Sequence, residues 1–230
     1  MRVSRTLITL AALVSAASCD LRPTSLTSSL GNPPAFRIIN AFTSPVDVLI
    51  DGRVALSAFA PGQVNTAPAA PGNHTVVLRP TAGGTSISQQ LASADGAVST
   101  IAATVGTSGL LSTAVLDDTN SVVPSGATKL RVIHFAPNAG TLQVYRTQPD
   151  FPTPVSWQFP FNYQPAPTSL SAPFYQSTVG SWEVRIWKTP ADASGWSTAP
   201  TRVTVPLASG EKATILILDK QGGGVQVQVI

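Results

Sequence analysis

The chain alternates short apolar runs, rich in β-branched residues, with Gly, Pro, Asn and Asp about every ten residues. This punctuation is typical of β-strands that are separated by turns. After residue 18, no stretch has apolar residues at the spacing of an amphipathic helix. We therefore predict a chain built of β-strands, with about seven strands in each domain.

The strand pattern occurs twice along the chain. Four segments of the first half match segments of the second: 36–42 with 130–136, 46–49 with 142–145, 72–78 with 180–186, and Leu-Ala-Ser at 91–93 with Leu-Ala-Ser at 207–209. A repeat of about 100 residues suits two tandem domains better than a solenoid. The predicted fold class is all-β, with two tandem antiparallel immunoglobulin-like β-sandwich domains after a signal peptide and a flexible tether. The predicted parts are a signal peptide at 1–18, a tether at 19–35, domain 1 at 36–118, a linker at 119–129 and domain 2 at 130–230.

The matched segments 72–78 and 180–186 also predict which side chains face the core. Alternate positions along a strand point to opposite faces of a sheet. One set is apolar apart from its histidine and should face the core: His74, Val76, Leu78, Trp182, Val184 and Ile186. The other set includes charged residues and should face water: Thr75, Val77, Arg79, Glu183, Arg185 and Trp187.

The openings of the two copies, FRIINAFTSPVDVLIDG and LRVIHFAPNAGTLQVY, are each followed by a Gly-bounded strand, PGNHTVVLRP and VGSWEVRIWK. In these segments the chain resembles the bacterial domain-of-unknown-function 4397 family, over about residues 36–118 and 130–230. The resemblance implies an exported or envelope protein with tandem copies of one domain. It implies no activity and supplies no site residues. The second copy departs from the pattern by an insertion at 146–175.

The N-terminus has the pattern of an export signal. Arg2 and Arg5 precede an apolar run at 7–17, which is shorter than the roughly 20 residues of a membrane-spanning helix. Small residues lead up to Cys19, the only cysteine of the chain. We predict cleavage between Ser18 and Cys19 and lipidation of Cys19, which would anchor the protein in the bacterial cell envelope, in the periplasm or at the cell surface. The alternative is ordinary cleavage that releases a secreted module without lipid.

The charge and the single cysteine exclude several kinds of partner. Without Arg2 and Arg5, twelve basic side chains remain against 11 acidic ones, a net charge of +1 with no basic cluster. Nucleic-acid binding is therefore not expected. One cysteine provides neither a disulfide nor a thiolate zinc site. We predict no cofactor and no metal site.

The sequence contains no catalytic motif, and its two histidines have structural explanations. His134 occupies the position of Asn40 in the other copy, which predicts hydrogen bonds to a nearby turn. His74 occupies the position of Trp182, which predicts a packed ring. We therefore predict that the protein is not an enzyme. The rival hypothesis is a hydrolase with its site between the two copies, and it requires His134 within reach of a Ser or a carboxylate.

The acidic residues of the first copy suit turns and solvated edges. Asp47 and Asp51 lie four residues apart, but Asp51-Gly52 is a common turn dipeptide and Asp47 matches Gln143. Asp117 and Asp118 lie immediately before the linker. Weak calcium binding by such acids is left open.

All four Trp and all three Tyr residues lie in the second copy. Many of its aromatic residues fall in the Pro-rich insertion at 146–175, which predicts an extended loop or an edge strand. Rings on a stiff segment suit a glycan or an envelope protein as partner. The predicted contact surface consists of Trp157, Phe159, Phe161, Tyr163 and Trp187. In the alternative, the rings of the insertion fold back and cover an open end of the sandwich.

Overall fold

The computed structural model describes residues 34–95, 97–116, 122–147, 155–161, 163–167, 172–188 and 201–230, with only the backbone for 155–161 and 188. The predicted signal peptide, the cleavage point between Ser18 and Cys19 and nearly all of the tether lie outside the described residues. Asp117, Asp118 and the first residues of the predicted linker also lie outside them. Within the described residues, no helix is long and apolar enough to cross a membrane.

The first half of the chain forms a sandwich of two four-stranded sheets. Its strands are β1 (Ala35–Asn40), β2 (Val46–Ile50), β3 (Arg53–Phe59), β4 (Val64–Pro68), β5 (Gly72–Pro80), β6 (Ile87–Ser93), β7 (Val98–Val105) and β8 (Leu111–Leu116). One sheet has the order β4-β1-β7-β8 and the other has the order β3-β2-β5-β6. We call them sheet A and sheet B.

The second half repeats this arrangement strand for strand. Its strands are β9 (Ala127–Phe135), β10 (Leu142–Thr147), β11 (Val155–Phe161), β12 (Tyr175–Thr178), β13 (Gly180–Lys188), β14 (Thr201–Leu207), β15 (Lys212–Asp219) and β16 (Val225–Val229). Sheet C has the order β12-β9-β15-β16, and sheet D has the order β11-β10-β13-β14. A short 3-10 turn, Pro137–Ala139, follows β9.

The predicted all-β fold of two sandwiches is confirmed, with two differences in detail. Each half has eight described strands. In each half one pair is parallel, β1 with β7 and β9 with β15, while the other described strand pairs are antiparallel. The first strand of each half therefore lies inside its sheet, between an antiparallel neighbour and a parallel one.

Alternating apolar side chains fill the space between the two sheets of each half. In the first half Phe36 and Ile38 pack with Val76 and Leu78, and all four are fully buried. In the second half Leu130, Val132, Val184 and Ile186 belong to the equivalent cluster. The predicted inward set of β5 and β13 is thus confirmed, and its two terminal rings, His74 and Trp182, are half-buried.

A third apolar cluster joins the two halves. It contains outward-facing residues of sheets A and C: Ile39, Ala41, Ala102, Ala114, Leu116, Ile133, Phe135, Leu216 and Leu218, together with Ala172. Sheet A therefore packs against sheet C, so that β1, β7, β9 and β15 are covered on both faces. Strands buried on both faces carry nearly continuous apolar runs. Such runs occur here at 101–103 in β7 and at 215–218 in β15.

The prediction for the outer face of β13 was wrong. Glu183, Arg185 and Trp187 are only 5%, 2% and 6% exposed, although they were expected to face water. Glu183 forms an ion pair with Arg185, and Trp187 packs edge to face on Tyr145 of β10. Charges of opposite sign can be buried when they are paired in this way. On the outer face of sheet D, the side chains of β10 and β13 therefore form a buried polar and aromatic layer, whereas those of β14 are exposed.

The two Leu-Ala-Ser motifs do not occupy equivalent positions. Gly72 of β5 pairs with Ser93, whereas Gly180 of β13 pairs with Leu207. The structural equivalent of Ser93 is therefore Leu207, two residues from the position that the sequence match predicted. The motif is short, and a strand-to-turn transition allows such a shift without changing which side chains point inward.

Candidate functional site

Asn40 and His134 perform the same structural task in the two halves. The Asn40 side chain accepts a hydrogen bond from the Phe42 backbone N–H at 3.0 Å. Its amide group donates to the carbonyl oxygens of Phe59 at 2.6 Å and Ser44 at 3.1 Å. The side chain is fully buried and ties the end of β1 to two later segments.

The His134 ring makes the equivalent contacts at the end of β9. Its Nδ1 accepts from the Ala136 backbone N–H at 3.2 Å, so the proton lies on Nε2, which donates to the Gly140 carbonyl at 2.8 Å. Burial lowers the pKa of the His134 imidazole below its ordinary value of 6.5. These contacts to the turn after β9 confirm the predicted hydrogen bonding of His134.

Tyr163, from the insertion of the second half, contacts the first half. Its hydroxyl accepts from the Val105 backbone N–H at 2.9 Å and donates to the Val105 carbonyl at 2.8 Å. β1 pairs with β7 only as far as Ala103, so that Val105 lies beyond the end of this strand pair. The hydroxyl takes the place that a neighbouring strand would have there. Thr104 adds a hydrogen bond from its hydroxyl to the Pro165 carbonyl at 3.0 Å.

Of the other residues of the predicted contact surface, three lie on β11 and the fourth lies on β13. Trp157, Phe159 and Phe161 lie on β11, which pairs with β10 and is one of the two edge strands of sheet D among the described strands, as the prolines predicted. Their side chains are outside the described part of the structure. Trp187 was expected to be at least partly exposed, and this expectation is corrected by its burial against Tyr145, at a ring-centroid distance of 4.9 Å.

A cleft of about 360 Å³ opens where loops of the two halves meet. Its lining consists of Ala41, Phe42, Thr43, Pro45, Ala60, Pro61 and Gly62 from the first half and Asn138, Asp219, Lys220 and Gln221 from the second. The wall from the first half is apolar apart from Thr43, and every lining residue from the second half is polar. We call this the junction cleft. The sequence did not predict it, because its two walls come from distant parts of the chain, 41–62 and 138–221.

The polar wall of the junction cleft is organised around Asp219, the last residue of β15. Asn138, in the 3-10 turn, donates to Asp219 Oδ2 from its side-chain Nδ2 at 2.8 Å and from its backbone N–H at 3.4 Å. Lys220 and Gln221 begin the turn into β16, which Gly223 and Gly224 close by hydrogen bonds with Lys220. One carboxylate and one ammonium group thus line this wall.

The apolar wall is tied to the second half through Gly62. The Gly62 carbonyl accepts hydrogen bonds from Gln226 Nε2 at 2.8 Å and Gln228 Nε2 at 2.7 Å. Its φ is +75°, and a Cβ placed there would overlap the side-chain amide of Gln226. A side chain here would need both an unfavourable positive φ and a shift of Gln226, so glycine is favoured at this position. The dipeptide Pro61-Gly62 predicts a turn, but it does not predict that Gln226 and Gln228 of the second half contact this turn.

His74 and Asp51 form a second polar cluster, at the rim of the first sandwich. His74 Nδ1 lies 2.6 Å from Asp51 Oδ2 and His74 Nε2 lies 2.7 Å from the Ala70 carbonyl. The ring packs edge to face on Phe36, as expected of a packed histidine. Asp51 also accepts from the Thr75 backbone N–H at 2.9 Å, and it precedes Gly52 in the predicted turn.

Asp47 is engaged separately from Asp51. It accepts hydrogen bonds from the Ala58 backbone N–H at 2.9 Å and from Arg79 Nη2 at 2.8 Å. These bonds lower the pKa of the Asp47 carboxyl, the Ala58 bond most. Within the described residues, no group of three or more His, Cys, Asp or Glu side chains is placed to hold a metal ion.

Solved structures and one family model match this chain. A solved structure titled "Alpha-glucan binding by a streptococcal virulence factor" aligns over 79% of this chain and 91% of its own, at 10% identity and a TM-score of 0.25. At these values the likeness carries no argument about fold or ligand. No curated protein matches the sequence. Residues 34–145, which contain β1 to β9 and the first part of β10, match the family described as Domain of unknown function (DUF4397), the family that the sequence resembles.

Proposed function

We propose that this protein is an exported, lipid-anchored module of the bacterial cell envelope that binds a ligand without catalysing a reaction. The supporting observation is the junction cleft, whose two walls come from two sandwiches joined by the third apolar cluster. Clefts between domains are common ligand sites. The expected partner is a glycan or a protein of the envelope, and nucleic acid is not expected.

The non-catalytic role is supported by the way in which polar groups are used. Asn40 and His134 make equivalent hydrogen bonds to turns, and a general base is not needed for that task. We expect His134→Asn to fold, since the first half uses asparagine at this position. Purified protein and this variant would be assayed against ester, peptide and glycoside substrates. Turnover by the natural chain that the variant lacks would establish the hydrolase alternative instead.

The lipid anchor depends on Cys19. We expect mass spectrometry of the natural protein from membranes to find a mature N-terminus at Cys19 carrying a diacylglyceryl group and an acyl chain. The Cys19→Ser variant cannot be lipidated and should be found in the soluble fraction. The apolar run at 7–17 is too short to hold a protein in a bilayer as a membrane-spanning helix. A natural N-terminus with an unmodified Cys19 would favour the secreted alternative.

The edge strand β11 is a second candidate contact surface, because its outer backbone edge has no partner among the described strands of sheet D. Trp157, Phe159 and Phe161 belong to this strand. Pull-down from envelope extracts with the natural chain and with Trp157→Ala tests it. Loss of a captured component with Trp157→Ala would support this surface, and unchanged capture would remove Trp157 from it.

A further inference from the structure

We infer that the junction cleft is a binding site for a neutral saccharide. The inference rests on the proposed binding role and adds the place and the ligand class. The wall from the first half offers mainly carbon atoms, with Thr43 as its polar side chain, and the wall from the second half offers hydrogen-bonding groups. A ligand that fills it must therefore have one apolar face and one polar edge.

The apolar wall suits the C–H face of a sugar ring. Phe42, Pro45 and Pro61 are half-buried and line the same wall. Aromatic and proline rings are flat and rigid, so a ligand that stacks on them orders few rotatable bonds. Phe42 is held in place through its backbone N–H, which donates to buried Asn40.

The polar wall suits hydroxyl groups. Asp219 and the amide oxygens of Asn138 and Gln221 accept hydrogen bonds, while Lys220 and the amide nitrogens donate. A hydroxyl group both donates and accepts, so neighbouring hydroxyls on a sugar can use both kinds of group. The opposite charges of Asp219 and Lys220 favour a ligand without net charge.

The cleft is formed before a ligand arrives. Its walls are fixed to each other by the bonds of Gln226 and Gln228 to Gly62 and by the apolar contact of sheets A and C. Asp219 is aimed by two hydrogen bonds from Asn138. Preformed sites lose little affinity to the ordering of the protein. The volume of about 360 Å³ lies at the small end of the range for ligand pockets, which suits one or two sugar rings.

The test uses the mature full chain and a panel of neutral disaccharides: maltose, cellobiose, lactose and N,N′-diacetylchitobiose. Saturation-transfer NMR detects the binding, and titration gives Kd. We expect at least one disaccharide to bind, and Phe42→Ala and Asp219→Asn each to weaken it about tenfold or more. The matched controls are Val54→Ala and Asp95→Asn, at exposed positions outside the cleft, which should leave Kd unchanged.

Three results would overturn the inference. These are a lack of saturation transfer with every disaccharide, binding that both cleft variants leave unchanged while their melting temperatures stay normal, or a preference for zwitterionic amino acids over the sugars. Because Phe42 also packs against the core of the first sandwich, each variant is first compared with the natural chain by thermal unfolding. Gln221→Ala, at an exposed turn, provides a third cleft variant that does not touch the core. If no sugar binds, the saccharide inference fails, but the Cys19 and hydrolase tests of the proposed function are unaffected. If a bound sugar is hydrolysed, the proposed non-catalytic function is refuted, but the junction cleft remains the binding site.

Discussion

His74 connects two loops of the first sandwich through a ring whose two nitrogens both face oxygen acceptors. Asp51 lies on the turn between β2 and β3, and Ala70 lies before β5. Both contacts are satisfied only when each ring nitrogen carries a proton, which is the imidazolium form. The Asp51 hydrogen bond is the main cause that raises the pKa of His74 above 6.5. Arg53 is the other charged group that lines the adjoining groove.

The first prediction is a pH dependence of stability that His74 causes. A raised pKa in the folded state stabilises the fold below the unfolded value of 6.5 and loses this effect as the pH rises through the folded pKa. Measured by urea unfolding, the free energy of unfolding of the natural chain should decrease from about pH 5.5 to about pH 8.5, and that of His74→Gln should not show this decrease. The Thr75 and His74 bonds lower the pKa of Asp51, so its contribution is lost only in acid, below its ordinary 3.8. Equal pH slopes for the two proteins would contradict this role.

NMR of the two histidine rings gives an independent measurement. The pKa of His74 should lie above 6.5 and that of His134 below it, because one ring faces a carboxylate and the other is buried with a backbone carbonyl. His134→Asn assigns the two signals. A reversed order of the two titrations would show that the ring environments differ from those described.

The second prediction concerns Gly62. Gly62→Ala should lower the free energy of unfolding by about 1–3 kcal/mol more than Gly84→Ala, because both need positive φ but only Gly62 abuts another side chain. A methyl group added at Gly84 would meet none of the described atoms within 4 Å, so this variant isolates the cost of the backbone. Urea unfolding of both variants makes the comparison. Equal losses would show that the Gln226 contact does not stabilise the junction.

At the scale of elements, equivalent strands hold the same edge positions in the two halves, but the chain that follows β11 contacts the other half. β3 and β11 are edge strands of sheets B and D, and β4 and β12 are edge strands of sheets A and C. The chain after β11 reaches the first half, where Tyr163 bonds to β7. For this residue, the alternative that the insertion folds back onto the protein describes the structure better than an exposed contact surface does.

The third prediction tests this contact. Tyr163→Phe keeps the ring, which lies 6.2 Å from the His134 ring, and removes only the hydroxyl. The backbone N–H and carbonyl of Val105 then lose their partner, which should cost about 1–3 kcal/mol of unfolding free energy. Denaturant titration measures the loss. An unchanged free energy of unfolding would mean that water replaces the hydroxyl at no cost.

At the scale of the whole molecule, the halves stack through the outer faces of sheets A and C. Sheet A contributes Ile39, Ala102, Ala114 and Leu116, and sheet C contributes Ile133, Phe135, Leu216 and Leu218. The two small alanine side chains allow the sheets to pack closely at this contact. β1, β7, β9 and β15 each face this contact on one side and the core of their own sandwich on the other. We therefore expect the two sandwiches to unfold together.

The fourth prediction tests whether the two sandwiches depend on this contact to unfold together. Ala102→Glu places a charge in this contact and should cost about 3 kcal/mol or more, or divide one unfolding transition into two. Ala92→Glu, at an exposed position of β6, is the control and should leave the transition unchanged. Calorimetry distinguishes the outcomes. A single unshifted transition for Ala102→Glu would show that the halves do not depend on this contact.

The sequence by itself determined the parts that depend on neighbours along the chain. Alternation assigned Val76, Leu78, Val184 and Ile186 to the interior, and the shared position of Asn40 and His134 predicted their hydrogen bonds. Side-chain alternation follows from strand geometry, so these conclusions need no tertiary structure.

Only the tertiary structure decided what lies against each outer face. It covered Trp187 and the Glu183–Arg185 pair, placed sheet A on sheet C, and brought Gly62 to Gln226 across the junction cleft. The alternation along a strand predicts which side chains share a face. The same alternation is compatible with an outer face that contacts water, another sheet or a distant loop. That choice depends on how two completed sandwiches fit together, which no local pattern encodes.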